Sequence, residues 1–327
     1  MNITHPVASS SEAAPLTLRE RVGISIGGPD ALTLLDVIAE AEAAGVTQLW
    51  LTQNPTSLDS LTLFAAALSR TAHIRLGTSI VPTYPRHPLA LAQQAATLNA
   101  LGPGRLRLGV GPSHRPTIEA TYGIQMEAPL AHLREYVEVL RATLWEGSVG
   151  YEGRFFTARA TTNRIARIPL LISTLGTGAY QLAGAIADGA ISWNSPPNYL
   201  HSQALPALRA GAASANRPSP PLVAHIWVAL NDDRDAVLAA ARQALTGYAR
   251  LPFYANMFAA AGYPVVEGAV SDALVEQLVV QGDETTVAQR LTDLLNSGLD
   301  ELLLTIVPTG DVAAIRTRLF HLVGQLG

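Results

Sequence analysis

Two histidines and a serine stand just behind two predicted strands: His87 follows Ile74 to Thr78, and Ser113 and His114 follow Leu106 to Val110. Histidine titrates near neutrality, so His114 can act as a general acid or as a hydrogen-bond donor to a ligand, or serve only as a structural group. His87 sits in a proline-rich turn (Pro82, Pro85, Pro88) that it can fix in place. Gln53 and Asn54, behind a strand over Gln48 to Thr52, are neutral amides that can bond a ring edge or a carbonyl but move no protons at ordinary pH. Gly176-Thr177-Gly178 opens a helix, where backbone N–H groups and the helix dipole can approach a phosphate; the same triplet also fits a plain helix start. Trp193, Asn194, Tyr248, Phe253 and Tyr254 can line a substrate pocket under a lid, although aromatic residues more often belong to a core.

Composition removes several mechanisms. All 22 basic residues are arginine, so Schiff-base chemistry, pyridoxal phosphate attachment and a phosphate-loop lysine are excluded. Cysteine is absent as well, which excludes disulfides, thiolate catalysis and iron–sulfur clusters, and no metal site is expected. Redox chemistry must then come from a bound cofactor. A net charge of −4 argues against nucleic acid as partner and favours a small molecule. No apolar run reaches the roughly 18 residues of a membrane span, and residues 1–20 resemble a flexible tail rather than a signal peptide, so a cytoplasmic location is expected.

The elements that must position these groups alternate regularly. Strands are predicted over Val22 to Ile26, Gln48 to Thr52, Ile74 to Thr78, Leu106 to Val110, Leu170 to Ser173, Ala190 to Trp193, Val223 to Leu230 and Leu302 to Val307, each followed by a helical stretch. Eight such pairs predict an α/β fold, a (β/α)8 TIM barrel with its loops of function at the strands' C-terminal face. Residues 21–327 form one domain on this reading, with insertions at about 147–165, a small hairpin, and 251–280. An open doubly wound sheet is disfavoured, because Gly27-Gly28 is too short for a dinucleotide fingerprint.

The motifs Gly77-Thr78-Ser79-Ile80 through Arg86-His87-Pro88, Gly104-Arg105 through Gly109-Val110-Gly111, Ile168-Pro169 through Gly176-Thr177-Gly178, and Leu182-Ala183-Gly184 through Asp188-Gly189 occur in an order and spacing that resembles the bacterial-luciferase-like superfamily. The similarity runs from about Arg21 to the C-terminus and is strongest to the branch of oxidoreductases that use coenzyme F420, a deazaflavin. The resemblance implies a non-proline cis peptide at Ser79-Ile80 pressing on one face of the cofactor ring. It further implies cofactor binding by Gln53, Asn54, Thr78, Ser79, Ile80, Gly111, Ser113, Leu175, Gly176, Thr177 and Gly178. Relatives carry an acidic residue that can act as proton donor at about the position of His114, which makes His114 the candidate catalytic residue here, as general acid or as hydrogen-bond donor. Arg86, Arg115 and Arg250 are candidates for the remaining anionic groups. Relatives often carry an acidic residue and a histidine where this chain has Gln53 and Asn54, and the loss of that pair suits reduction better than alcohol oxidation. The expected activity is hydride transfer from reduced coenzyme F420 to a C=C or C=N bond of a small organic substrate. The alternatives are an FMN-dependent monooxygenase and a non-catalytic flavin or deazaflavin binder. The resemblance also implies a homodimer packed through the helices beside the early strands, near Phe64.

Overall fold

The computed structural model describes residues 16–327. Eight parallel strands form the barrel: β1 (Val22–Ile26), β2 (Gln48–Leu51), β3 (Arg75–Thr78), β4 (Leu106–Gly111), β5 (Leu170–Thr174), β6 (Gly189–Ser192), β7 (Leu222–Ala229) and β8 (Glu301–Ile306). Each pairs with the next in chain order, and β8 returns to β1 through Val22 opposite Leu302, which closes the ring. Most barrel strands are buried on both faces, inside against one another and outside against helices, and this is why they read as continuous apolar runs rather than alternating ones.

The interior is filled in layers. Trp50 is fully buried there with Leu171, Ile191, Val223 and Leu303. Its indole occupies space that two neighbouring strands must leave open: a Cβ on Gly23 would come within 2.4 Å of it and one on Gly77 within 2.3 Å. Arg107 of β4 makes a bidentate ion pair with Glu301 of β8 at 2.5 and 2.8 Å, accompanied by Gln48. The guanidinium lies 5.0 Å from the Trp50 ring centre, so charge and π-face share the barrel axis.

Several predicted boundaries shift. Of the expected tail, residues 1–15 lie outside the described residues, whereas Leu18 packs on the core and the Glu20 carbonyl accepts hydrogen bonds from Gln48 and Arg75. The segment after β4 holds a short helix, Arg115–Tyr122, ahead of the longer helix Pro129–Arg141. The first insertion is the antiparallel hairpin Ser148–Glu152 and Thr157–Thr161, separate from the barrel. The second holds helices Pro252–Ala260 and Asp272–Leu278 and then a strand, Val279–Gln281, parallel to the C-terminal half of β7. A two-residue strand, Val81–Pro82, also pairs with β4. Phe64 is buried in the chain's own core and is not a surface residue.

Candidate active site

A cavity of about 710 Å³ opens at the C-terminal mouth of the barrel, the end where this architecture displays its variable loops. The exit of β2 brings Thr52, Gln53 and Asn54 to it, that of β3 brings Ser79 and Ile80, and that of β4 brings Ser113, His114 and Arg115. Leu175, Gly176 and Thr177 come from the end of β5 and Trp193 from the end of β6, while Tyr248, Phe253 and Tyr254 close over it from the second insertion and the helix before it. The Ser79-Ile80 peptide is cis, and the Ser79 hydroxyl lies 3.3 Å from that of Thr52.

His114 is the only histidine among the cavity's lining residues. Its ring centre lies 5.7 Å from that of Phe253, nearly parallel, and 6.0 and 5.9 Å from those of Tyr248 and Tyr254, both edge-on. Burial among these rings lowers its pKa below the ordinary histidine value, so the imidazole is neutral at pH 7. The lining contains no carboxylate and one cation, Arg115, whose guanidinium already pairs with Glu119 at 2.8 Å.

Helix N-termini supply the rest of the polarity. Helices at Ala31, Ser60, Pro88, Arg234, Asp272, Glu284 and Val312 are capped by Asp30, Asp59, His87, Asp233, Ser271, Asp283 and Asp311. Four helices that start at the cavity rim lack any side-chain cap: Arg115–Tyr122, Pro129–Arg141, Thr177–Ile186 and Pro252–Ala260. Their first N–H groups have no partner in the helix and carry the positive end of its dipole. Only the helix at Thr177 among these has no proline in its first turn; its Ala179 N–H donates to the Gly176 carbonyl at 2.9 Å, which leaves the N–H groups of Thr177 and Gly178 for an anion.

The structure does not bring every expected residue to the wall. Thr78 is buried, with its hydroxyl donating to the Gly109 carbonyl at 2.7 Å and accepting from the Gly109 N–H at 2.9 Å, which ties β3 to β4. Gly111 packs against Ser173, and Gly178 faces a separate groove of about 600 Å³ beside Leu130 and Gln181. Asn194 lies behind the wall at φ 51°, a left-handed backbone that asparagine tolerates, and its Oδ1 accepts from the Trp227 indole at 2.8 Å. Gln53 touches the cavity with most of its amide engaged. Its Oε1 accepts from the Ser60 N–H and hydroxyl at 3.2 and 2.7 Å, and its Nε2 donates to Asp59 at 3.0 Å. Arg86 also belongs to this cluster, paired with Asp59 at 2.7 Å, and neither it nor Arg250 lines the cavity. The hydrogen bonds from Arg86 and Gln53 hold the Asp59 carboxyl well below the usual carboxylate range despite its partial burial. His87 caps the helix at Pro88, accepting the Leu89 N–H at 3.2 Å.

One residue of consequence escaped the sequence reading. His225, on β7, is buried and stacks on Trp193 with ring centres 3.8 Å apart. Its Nδ1 accepts the Asn194 N–H at 3.3 Å, so Nε2 carries the proton toward the Thr305 hydroxyl at 3.0 Å. Burial lowers its pKa to about 3, so it is a neutral support beneath a cavity wall. In the sequence it is one polar residue inside an apolar strand, a pattern that marks only an inward-facing polar position.

A family model described as luciferase-like monooxygenase matches residues 15–301. The F420-dependent glucose-6-phosphate dehydrogenase of Nocardia farcinica is 32% identical over 297 residues, covering 84% of this chain and 87% of that protein. The 5,10-methylenetetrahydromethanopterin reductase of Methanopyrus kandleri is 24% identical over 325 residues, covering 88% of this chain and 92% of that protein. Among solved structures, the coenzyme F420-dependent tetrahydromethanopterin reductase from Methanopyrus kandleri has a TM-score of 0.76 at 22% identity, covering 94% of this chain and 97% of that one. An F420-dependent secondary alcohol dehydrogenase in complex with an F420-acetone adduct also has a TM-score of 0.76, at 20% identity, covering 94% of this chain and 98% of that one. These two structures share the barrel fold, and the family match, together with the identity to the dehydrogenase over most of both chains, places the chain in the luciferase-like monooxygenase family.

Proposed function

We propose that this protein is an oxidoreductase that binds coenzyme F420 and reduces a C=C or C=N bond of a small organic molecule. The observation that carries this reading is a cavity whose lining has no carboxylate and whose one histidine is held neutral. Burial weakens that histidine as a base and no carboxylate stands beside it in the lining to restore its basicity, so the wall is a poor acceptor for the proton of an alcohol, yet it can hold an electron-poor acceptor beside a hydride donor.

The residues fit the cofactor. A phosphate group suits the uncapped N-terminus at Thr177, and a flat ring suits the wall formed by Ser79 and Ile80, with Asn54 and Ser113 beside it. When bound, the reduced deazaflavin supplies a hydride, two electrons and one proton, to carbon. The chain's own share is positioning, exclusion of water from the hydride path and stabilisation of the charge that builds on the substrate; the second proton, which a neutral His114 cannot give up, comes from solvent. A neutral His114 donates an N–H hydrogen bond to the carbonyl or imine nitrogen of the substrate, where negative charge builds as carbon accepts the hydride. Tyr248, Phe253 and Tyr254 cover that contact and strengthen it by keeping water out.

Titration with oxidised coenzyme F420 and, separately, with FMN, following cofactor fluorescence, tests the reading. Micromolar or tighter binding of the deazaflavin, followed by turnover of an enone or imine with its reduced form, is the expected result. Preference for FMN with consumption of oxygen would replace it with a monooxygenase, and tight binding without turnover would replace it with a carrier.

A further inference from the structure

We infer that the substrate is an uncharged, flat, conjugated ring system held on the aromatic faces of Trp193 and Phe253, with the N–H edge of His114 beside it, and that a sugar phosphate or an organic cation is rejected. This deepens the function proposed above and rests on it for the reaction, but its binding argument stands on the cavity alone.

Three observations carry it. The first is the wall's shape. His114 and Phe253 lie within 27° of parallel at 5.7 Å, an offset stacked pair with no room for a ring between them, so a flat ligand meets Phe253 on its outer face. Trp193 has one face covered by His225 at 3.8 Å, which leaves its other face toward the cavity. Pinned by Asn194 and Thr305, His225 holds that ring without conformational cost at the moment of binding.

The second is an apolar ring left uncovered. Phe253 is 39% exposed although it is part of this wall, whereas its neighbour Tyr254 is 4% exposed. Covering such a ring with a flat apolar ligand removes water from both surfaces, a gain that scales with area.

The third is charge. The wall has no carboxylate to pair with a cation, and the uncapped helix ends add positive potential that opposes the attraction of a cation to aromatic faces. A phosphorylated substrate fares no better. Arg115 is the one cation of the lining, it is already paired with Glu119, and the chain has no lysine to add a second charge. The anion-binding capacity that remains, at Thr177, matches the cofactor's own phosphate.

Calorimetric titration with chromone, glucose 6-phosphate and N-methylquinolinium, on the protein alone and on the protein loaded with oxidised coenzyme F420, tests this. Chromone is expected to bind, and glucose 6-phosphate and the cation to bind at least about 100-fold more weakly. Phe253→Ala, a change at a surface-exposed ring that leaves folding intact, is expected to weaken chromone about tenfold or more while leaving coenzyme F420 affinity unchanged. Binding of the phosphate or the cation as tight as chromone, or a Phe253→Ala variant that binds chromone like the parent, overturns the inference. Coenzyme F420 binding without chromone binding overturns it and leaves the proposed function standing. Chromone binding without cofactor binding does the reverse.

Discussion

At the scale of single residues, the cavity's behaviour follows from how water is kept from histidine. His114 is neutral because burial among three aromatic rings penalises its charged form. If it acts as a hydrogen-bond donor, His114→Ala should lower kcat by roughly 10²-fold or more, while His114→Gln, which keeps an N–H, should retain most of the rate. The rate of the parent should be flat above pH 7 and change only on acidification; a rate that rises as pH falls through 7 would instead identify the imidazolium as the proton donor. Two further histidines act on stability. Burial lowers His132 to about 4 and His225 to about 3, against an unfolded value of about 6.5. Between those values the unfolded chain binds protons that the native protein does not, so native stability falls as pH drops below about 6.5. The slope approaches about 1.4 kcal/mol per pH unit for each histidine. Urea titrations at pH 7.5 and 5.0 should show this loss, and His225→Gln should show a smaller one.

Among elements, the helix that starts at Thr177 is held in place by close backbone contact. It packs on helix Leu205–Ser214, where a Cβ on Gly184 would meet the Leu208 carbonyl at 2.0 Å and one on Gly211 would meet the Gln181 carbonyl at 2.0 Å. Backbone cannot yield as a side chain can, so Gly184→Ala must push the two helices apart. A destabilisation of about 2 to 3 kcal/mol is expected by chemical denaturation, together with weaker binding of an anion at Thr177. Unchanged stability would mean that the helices slide without cost. The Asp59 cluster shows a different division of labour: Gln53 and Arg86 spend their polar groups on fixing the start of helix Ser60–Leu68 rather than on a ligand.

For the molecule as a whole, the ion pair of Arg107 and Glu301 joins opposite arcs of the barrel, from β4 to β8, in surroundings almost free of water. Removing one partner leaves the other charge buried and alone. Arg107→Met should therefore cost about 3 to 5 kcal/mol, whereas the double variant Arg107→Met with Glu301→Leu should recover much of that loss. A double variant as unstable as the single one would show that the pair acts through packing against Trp50 instead of through charge.

The order of elements was legible in the residues themselves, because strands buried on both faces appear as apolar runs and the helices between them carry their own starts, such as Asp30, Asp233 and Asp311. The gathering of Ser79, Ile80, Ser113, His114 and Thr177 at one cavity follows from that order, since parallel strands in a barrel all deliver their exits to one end. Val279–Gln281 was illegible as a strand because it directly continues the apolar pattern of the preceding helix. What a side chain faces was decided only by the fold. Gln53 resembles a free amide until Asp59 and Ser60, six and seven residues on, take up most of its bonding capacity, and Asn194 resembles a pocket residue until its backbone turns it toward Trp227. His225 lies 32 positions from Trp193 in the chain and 3.8 Å from it in space. Local pattern determines which element forms, because hydrogen bonding and periodicity are local; the neighbour of a buried polar group is set by barrel closure, which joins residues that no local pattern relates.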